Sequence, residues 1–201
     1  MVGKRRRLLR YLEKTDLEDT VVPIVSIAVT ASGQITATDV ASLTDNDAND
    51  ITLTGVGMKV GSIVAGAGVN ADVMLNAGTG AISDLQNDTV GHDADGFATQ
   101  TDDARIVNIV ADQLKMTADG DIGAAGNPLD TTVKTLAANS ANGSVYVYET
   151  DALTIGTVDG LNGVTAATHA KVETINGTMT VDQAVTATAG DVLLAAKAGA
   201  I

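Results

Sequence analysis

From residue 21 onward, the chain consists of short segments in which apolar and polar positions alternate, separated by Gly, Asn and Asp. Three of these segments are Asp50-Ile-Thr-Leu-Thr54, Gln113-Leu-Lys-Met-Thr117 and Lys171-Val-Glu-Thr-Ile175. Alternation with a period of two places one face of a β-strand in a core. Strands this short, separated by turn residues, are typical of either an antiparallel sandwich or a parallel solenoid.

A repeated phrase distinguishes these two folds. It places an aliphatic residue, a small residue, Gly and Ile in a fixed order, and it occurs four times: Val29-Thr-Ala31-Ser-Gly33-Gln-Ile35, Leu75-Asn-Ala77-Gly-Thr-Gly80-Ala-Ile82, Met116-Thr-Ala118-Asp-Gly120-Asp-Ile122 and Leu194-Ala-Ala196-Lys-Ala-Gly199-Ala-Ile201. Its first residues are 46, 41 and 78 positions apart, which indicates a period of roughly forty. Since the strands of a sandwich need not resemble one another at a fixed spacing, the repeat favours a solenoid in which two coils of about twenty residues form each period.

The predicted fold is therefore all-β, a right-handed parallel β-helix of about nine coils over residues 21–201. Residues 1–20 hold the one helix-like stretch, where Leu8, Tyr11 and Leu12 fall at helical spacing. We interpret this segment as a short amphipathic capping α-helix over the first coil, with a basic interaction arm as the alternative.

Composition indicates what fills the interior of the solenoid. The chain has one Phe, three Tyr and no Trp, so its core must be built from aliphatic side chains. Stacked aliphatic ladders suit a narrow, uniform interior. The residues predicted to form them are Ile35, Leu53, Leu75, Ile82, Ile109, Ile122, Leu136, Val145, Leu153 and Leu194.

Charge and cysteine content exclude several classes of function. The net charge is −13, and six basic against four acidic residues in positions 1–20 leave the rest of the chain strongly acidic. Such a body repels phosphates, so we expect no nucleic-acid partner. The absence of Cys excludes disulfides and thiolate metal sites. No apolar run of about eighteen residues occurs, so no transmembrane segment is predicted.

Two stretches resemble a known family. Asp119-Gly-Asp-Ile-Gly-Ala-Ala-Gly-Asn-Pro-Leu129 and the later Leu153-Thr-Ile-Gly156 are similar to the "G-x-I-G-x-x-x-N-P-L/I" and "L-T-I/V-G" phrases of large bacterial surface and secreted adhesins of the filamentous-haemagglutinin type. The similarity covers residues 105–201 best and 21–85 more loosely. It implies a right-handed parallel β-helix, an exported protein at the cell surface or outside the cell, and an adhesive or structural role. The chain is much shorter than such adhesins, which suggests a fragment.

Aspartate-rich stretches are the candidate metal sites, with calcium as the one candidate cofactor. Asp45, Asp47 and Asp50 imitate the start of an EF-hand loop, but Asp50 stands where that loop needs Gly and Val56 where it needs Glu. A polar insertion at residues 87–103 contains the other candidates, Asp93, Asp95, Asp102 and Asp103, with His92 nearby. Solvated turn residues are the alternative explanation of both stretches.

Two pairs of residues are candidate interaction sites. Tyr146 and Tyr148 alternate with two valines, so they form an exposed aromatic stripe if the valines are buried, or ordinary stacking contacts between coils. Leu193 and Leu194 lie in the last copy of the phrase, where an open coil offers a template for stacking a second molecule.

Function is predicted to be structural or adhesive and not enzymatic, with the molecule itself or a ligand on a cell surface as partner. The first alternative is a filament subunit that stacks head to tail. The second is a carbohydrate-active enzyme or calcium-dependent lectin that uses the loop at residues 87–103, in which clustered carboxylates can serve acid and base chemistry.

Overall fold

The computed structural model describes residues 26–42, 50–66, 71–86 and 106–201, together with the backbone alone of residues 9–12, 15–17 and 20–22. Nearly all of the regular structure is parallel β-sheet. No helix is present among these residues, so no described helix is available to span a membrane. The predicted capping helix otherwise falls outside the described residues, and the described backbone pieces of that segment are extended.

The strands form two large parallel sheets and one small hairpin. Sheet A contains β1 (Leu9–Leu12), β4 (Ser26–Ala31), β6 (Asp50–Thr54), β8 (Asp72–Asn76), β11 (Gln113–Ala118), β13 (Thr135–Ser140), β15 (Leu153–Ile155), β18 (Val164–Ala166), β20 (Met179–Val181) and β21 (Val185–Ala187). Sheet B contains β2 (Thr15–Leu17), β3 (Thr20–Val22), β5 (Ile35–Ser42), β7 (Met58–Ala65), β9 (Ile82–Asp84), β10 (Ile109–Val110), β12 (Leu129–Thr132), β14 (Val145–Glu149), β19 (Ala170–Thr174) and β22 (Val192–Ala196). The hairpin consists of β16 (Thr157–Val158) and β17 (Leu161–Asn162).

The chain alternates between the two sheets as it advances, which makes a parallel β-solenoid and confirms the predicted fold class. Sheet A runs from β4 through β6, β8, β11, β13 and β15 to β20, which is about six turns. The predicted nine coils are therefore too many. A regular turn is longer than the twenty residues assumed, since Ile51 pairs with Val73, 22 residues later. Between β8 and β11 one turn takes 41 residues, because Val73 pairs with Leu114 and the polar insertion falls between them.

The repeated phrase is the corner at which the chain passes from sheet A to sheet B. Its first residue lies in one sheet A column, in which the paired residues are Val29, Leu53, Leu75 and Met116. Its last residue lies in one sheet B column, in which the paired residues are Ile35, Met58, Ile82 and Ile122. The corner thus recurs at every turn, and the period of roughly forty is wrong. The fourth copy, at Leu194, does not start at this corner, because Leu194 lies in β22 of sheet B.

The core lies between the two sheets and is aliphatic, as predicted. Nine of the ten predicted core residues are at most 2% exposed. The tenth, Leu194, is half-buried and packs against the same cluster.

The β16–β17 hairpin lies on the outer face of sheet A. Asp159 and Gly160 form its two-residue turn with φ of 43° and 76°. Positive φ at both central positions is the geometry that Asp-Gly favours between antiparallel strands. Val158 of the hairpin is 1% exposed and Ala137 in β13 beneath it is fully buried. The hairpin therefore covers part of the sheet and leaves an edge beside β11.

Candidate functional site

A groove of about 310 Å³ lies on the outer face of sheet A, beside the hairpin. Alternation in β6 turns Ile51 and Leu53 into the core, and this leaves Thr52 and Thr54 outside. Because the strands pair in parallel register, outward residues of successive coils line up in columns. The two columns that form the floor are Thr52, Met74 and Lys115, and beside them Thr54, Asn76 and Thr117.

One wall of the groove is an ion pair between the sheet and the hairpin. Lys115 Nζ lies 2.7 Å from Asp159 Oδ2 and also donates a hydrogen bond to the Asp159 carbonyl oxygen at 2.9 Å. The Lys115 side chain is 24% exposed and the Asp159 side chain 65%. Since Asp159 sits at the hairpin turn, the tight turn fixes where this wall stands.

Several polar groups on the floor have no partner among the described residues. Asn76 uses its Oδ1 to accept a hydrogen bond from Gly78 N at 3.0 Å, which leaves the Nδ2 donors turned to the groove or solvent. The hydroxyls of Thr52 and Thr54 make no hydrogen bond within the described part of the chain. The floor therefore offers two hydroxyls and one amide that water or a ligand can satisfy.

A second cavity, of about 260 Å³, lies at the end of β14 near Glu149. Its other charged lining residues are Asp112, Lys134 and Asp151. The inner ends of β12 and β14 approach each other here, because the alternation of Val145 and Val147 turns Glu149 inward as well.

Hydrogen bonds hold the buried Glu149 carboxyl group in place. Thr131 Oγ1 donates to Oε2 at 2.7 Å, Val133 N donates to both oxygens at 3.0 and 3.1 Å, and Asp151 N donates to Oε1 at 3.2 Å. Burial nevertheless raises the pKa of Glu149 to about 8, against the lowering effect of these donors. The group is thus largely protonated at neutral pH, and its visible contacts bind the strand ends together.

Acidic side chains stack at the start of three sheet A strands. Asp72 N donates to Asp50 Oδ1 at 3.2 Å, and Asp112 lies at the next turn, where it forms an ion pair with Lys134. Burial raises the pKa of Asp72 to about 6, and the charges of Asp50 and Asp112 raise it further. Even so, no three acidic or histidine residues in the described ranges are arranged to hold a metal ion.

The calcium prediction is mostly untested by this structure. Asp45, Asp47, Asp93 and Asp95 lie outside the described residues, as do Asp102, Asp103 and His92. Asp50 is described, and its recorded contact is with the backbone of Asp72. Calcium binding at these two stretches stays a prediction.

The two predicted interaction pairs are placed differently from a simple exposed stripe. Tyr148 is only 4% exposed, so it cannot form an exposed aromatic pair with the half-buried Tyr146. Stacking on the neighbouring coil fits better, since Lys171 Nζ lies 5.8 Å from the centre of the Tyr146 ring. Leu193 and Leu194 are both half-buried in β22.

A serine, a histidine and an aspartate stack at one corner of the solenoid, but not as a nucleophile and base. Ser144 Oγ contacts Thr168 Oγ1 at 2.5 Å and accepts a hydrogen bond from the backbone N of His169 at 3.4 Å. The His169 Nδ1 atom accepts a hydrogen bond from Asp191 N at 3.2 Å. A catalytic pair requires the hydroxyl to donate to the imidazole, whereas the recorded contact is with the histidine backbone.

No protein-family model, curated protein or solved structure matches this chain. The resemblance to adhesins of the filamentous-haemagglutinin type accordingly rests on the sequence phrases alone. The parallel solenoid that the resemblance implied is present, and membership of that family stays a prediction.

Sequence reasoning did not identify the groove or the buried Glu149. The Asp159-Gly160 pair was a usable signal for the hairpin, since Asp-Gly is a strong hairpin marker. Glu149 also had a signal, because it stands in phase with Val145 and Val147, both of which are fully buried. The positions that line the groove gave none, because it takes three strands and a hairpin to bring them together.

Proposed function

We propose that this chain is a non-catalytic structural or adhesive module of a bacterial surface or extracellular protein. The observation that supports the proposal is the continuous parallel pairing of both sheets over about six turns, which builds a rigid outer surface from short, variable segments. Solenoids of this kind present extended binding surfaces, while each coil contacts only its neighbours.

The test is attachment of beads coated with the purified chain to cultured epithelial cells and to bacterial cells. An adhesive module should raise attachment several-fold over beads coated with albumin, and soluble chain added in excess should compete. Equal attachment of both bead types to every surface would overturn the adhesive role.

Stacking of coils between molecules is a second candidate, and the side chains of β22 favour it. Leu194 is half-buried, whereas its partner Val172 in β19 is fully buried. A further coil, from continuation of the chain or from a second copy, would bury Leu194. Sedimentation velocity over a concentration series tests the second source: association that Leu194→Glu abolishes supports it, and a monomer at all concentrations excludes it.

A further inference from the structure

We propose that the sheet A groove binds a neutral carbohydrate chain. The inference rests on the proposed adhesive function and names the ligand class for it. The volume of about 310 Å³ falls at the lower end of the range of ligand sites, roughly 300–1,000 Å³. This suits one or two sugar rings of a longer chain that runs out of the groove in both directions.

The chemistry of the floor matches sugar hydroxyls. The hydroxyls of Thr52 and Thr54 both donate and accept, and the Nδ2 group of Asn76 donates. Vicinal sugar hydroxyls need partners of both kinds. Met74 lies between these polar side chains and is half-buried, so it offers an apolar contact for the C–H face of a sugar ring.

Charge around the groove disfavours an ionised ligand. Lys115 and Asp159 satisfy each other across a 2.7 Å contact, so the lysine is not available to hold an anion. Asp50 and Asp72 lie at the start of the same strands that form the floor, and the chain as a whole carries −13. A uronic acid or a sulfated sugar would be repelled here, whereas a neutral sugar would not.

The columns set the direction of the chain. The column through Thr54, Asn76 and Thr117 continues to Asn139 and Thr165 in the following coils. It therefore presents a hydroxyl or amide group about every 4.8 Å along the solenoid axis. An extended polymer parallel to the axis meets equivalent partners at each turn.

The experiment titrates ¹⁵N-labelled chain with neutral hexasaccharides of glucose, xylose, mannose and N-acetylglucosamine, and with a galacturonate hexamer as the anionic comparator. We expect saturable amide shifts at residues 52–54, 74–76 and 115–117 with at least one neutral sugar, and none with the galacturonate. Binding of no neutral sugar, or tighter binding of the anion, would overturn the proposal.

Two variants test the assignment to the floor. Thr54→Val removes one hydroxyl without changing shape, and Asn76→Asp keeps the Oδ1 acceptor for Gly78 N while removing the Nδ2 donors. Each should weaken binding at least tenfold. Thr186→Val is the matched control, since Thr186 continues the same column on an exposed surface outside the groove, and it should bind as wild type. Equal weakening in all three variants, or unchanged binding in the first two, would refute the site.

Failure of this inference is distinguishable from failure of the adhesive role. If coated beads attach while no neutral sugar binds, adhesion uses another surface and only the groove assignment is wrong. If neither occurs, both proposals are wrong.

Discussion

The buried carboxyl group of Glu149 should make this solenoid less stable as pH rises through neutrality. Below pH 4.5 the group is protonated in both folded and unfolded chains, so it contributes no pH dependence. Between pH 4.5 and about 8 the unfolded chain releases this proton while the folded chain retains it. Unfolding is therefore increasingly favoured over this window, and the full loss is reached above the folded pKa.

The size of the effect follows from the pKa. Each pKa unit corresponds to about 1.4 kcal/mol, so a rise from 4.5 to about 8 gives a loss of at most about 5 kcal/mol in the free energy of unfolding. Asp72 adds a loss in the same direction between 3.8 and about 6, and its side chain is partly exposed, so its share is smaller. The Asp72→Asn background separates the two contributions.

The assay is urea unfolding at several pH values from 4 to 9, followed by the fluorescence of Tyr146 and Tyr148 in the same strand as Glu149. Glu149→Gln removes the titrating proton and should flatten the pH dependence. Asp182→Asn, which removes an exposed carboxylate, controls for net charge. Titration of the Glu149 carboxyl carbon by ¹³C NMR gives the pKa directly, even if the Gln variant folds poorly.

Parallel pH profiles for wild type and Glu149→Gln would refute this reasoning. So would a Glu149 carboxyl that titrates below pH 5. Either result would mean that the donors from Thr131, Val133 and Asp151 outweigh the effect of burial, as several N–H bonds to one carboxylate are able to do.

Three other substitutions have defined outcomes in the same urea assay. Gly123→Ala should destabilise by about 2–5 kcal/mol, because φ is +69° and a Cβ would lie 2.3 Å from a carbonyl oxygen of the next coil; Gly160→Ala, with positive φ but open space, should lose only about 1–2 kcal/mol, and equal losses would contradict the clash. Ile122→Ala should lose about 2–5 kcal/mol because the side chain is fully buried, whereas Ile201→Ala, at 62% exposure, should change stability by less than about 0.5 kcal/mol. Lys115→Met should cost less than about 1 kcal/mol, since it breaks an exposed ion pair, and a larger loss would show that the hairpin wall supports the whole fold.

The fold class was predictable from the sequence because the solenoid repeats one local structure. Each corner needs a small residue and a glycine between two buried aliphatic positions, and that requirement leaves a visible phrase. The number of coils was not predictable. The corner at Leu53 to Met58 is one residue shorter than the corner at Val29 to Ile35, and Met replaces Ile at its end, so it escapes the phrase although it occupies the same columns.

The groove was beyond sequence reasoning because its parts lie far apart in the chain. Thr52 and Lys115 are neighbours only after Met74 is placed between them by the register, and that register includes one turn of 41 residues. Asp159 then reaches Lys115 from a hairpin 44 residues later in sequence. Solenoids recruit such sites by inserting segments between coils, where core alternation leaves no trace of them.

Glu149 shows how far alternation alone reaches. The residue is in phase with Val145 and Val147, and so are its column partners Thr131 and Thr174, which are also fully buried. A polar column therefore runs inside the solenoid at the end of sheet B, where each strand reaches a corner. The pattern predicts that Glu149 points inward, but it cannot predict the donors from Val133 and Asp151, because these come from the turns beyond the strands. Whether an inward carboxyl stays charged depends on those turns, so its protonation, unlike its direction, is a property of the folded corner.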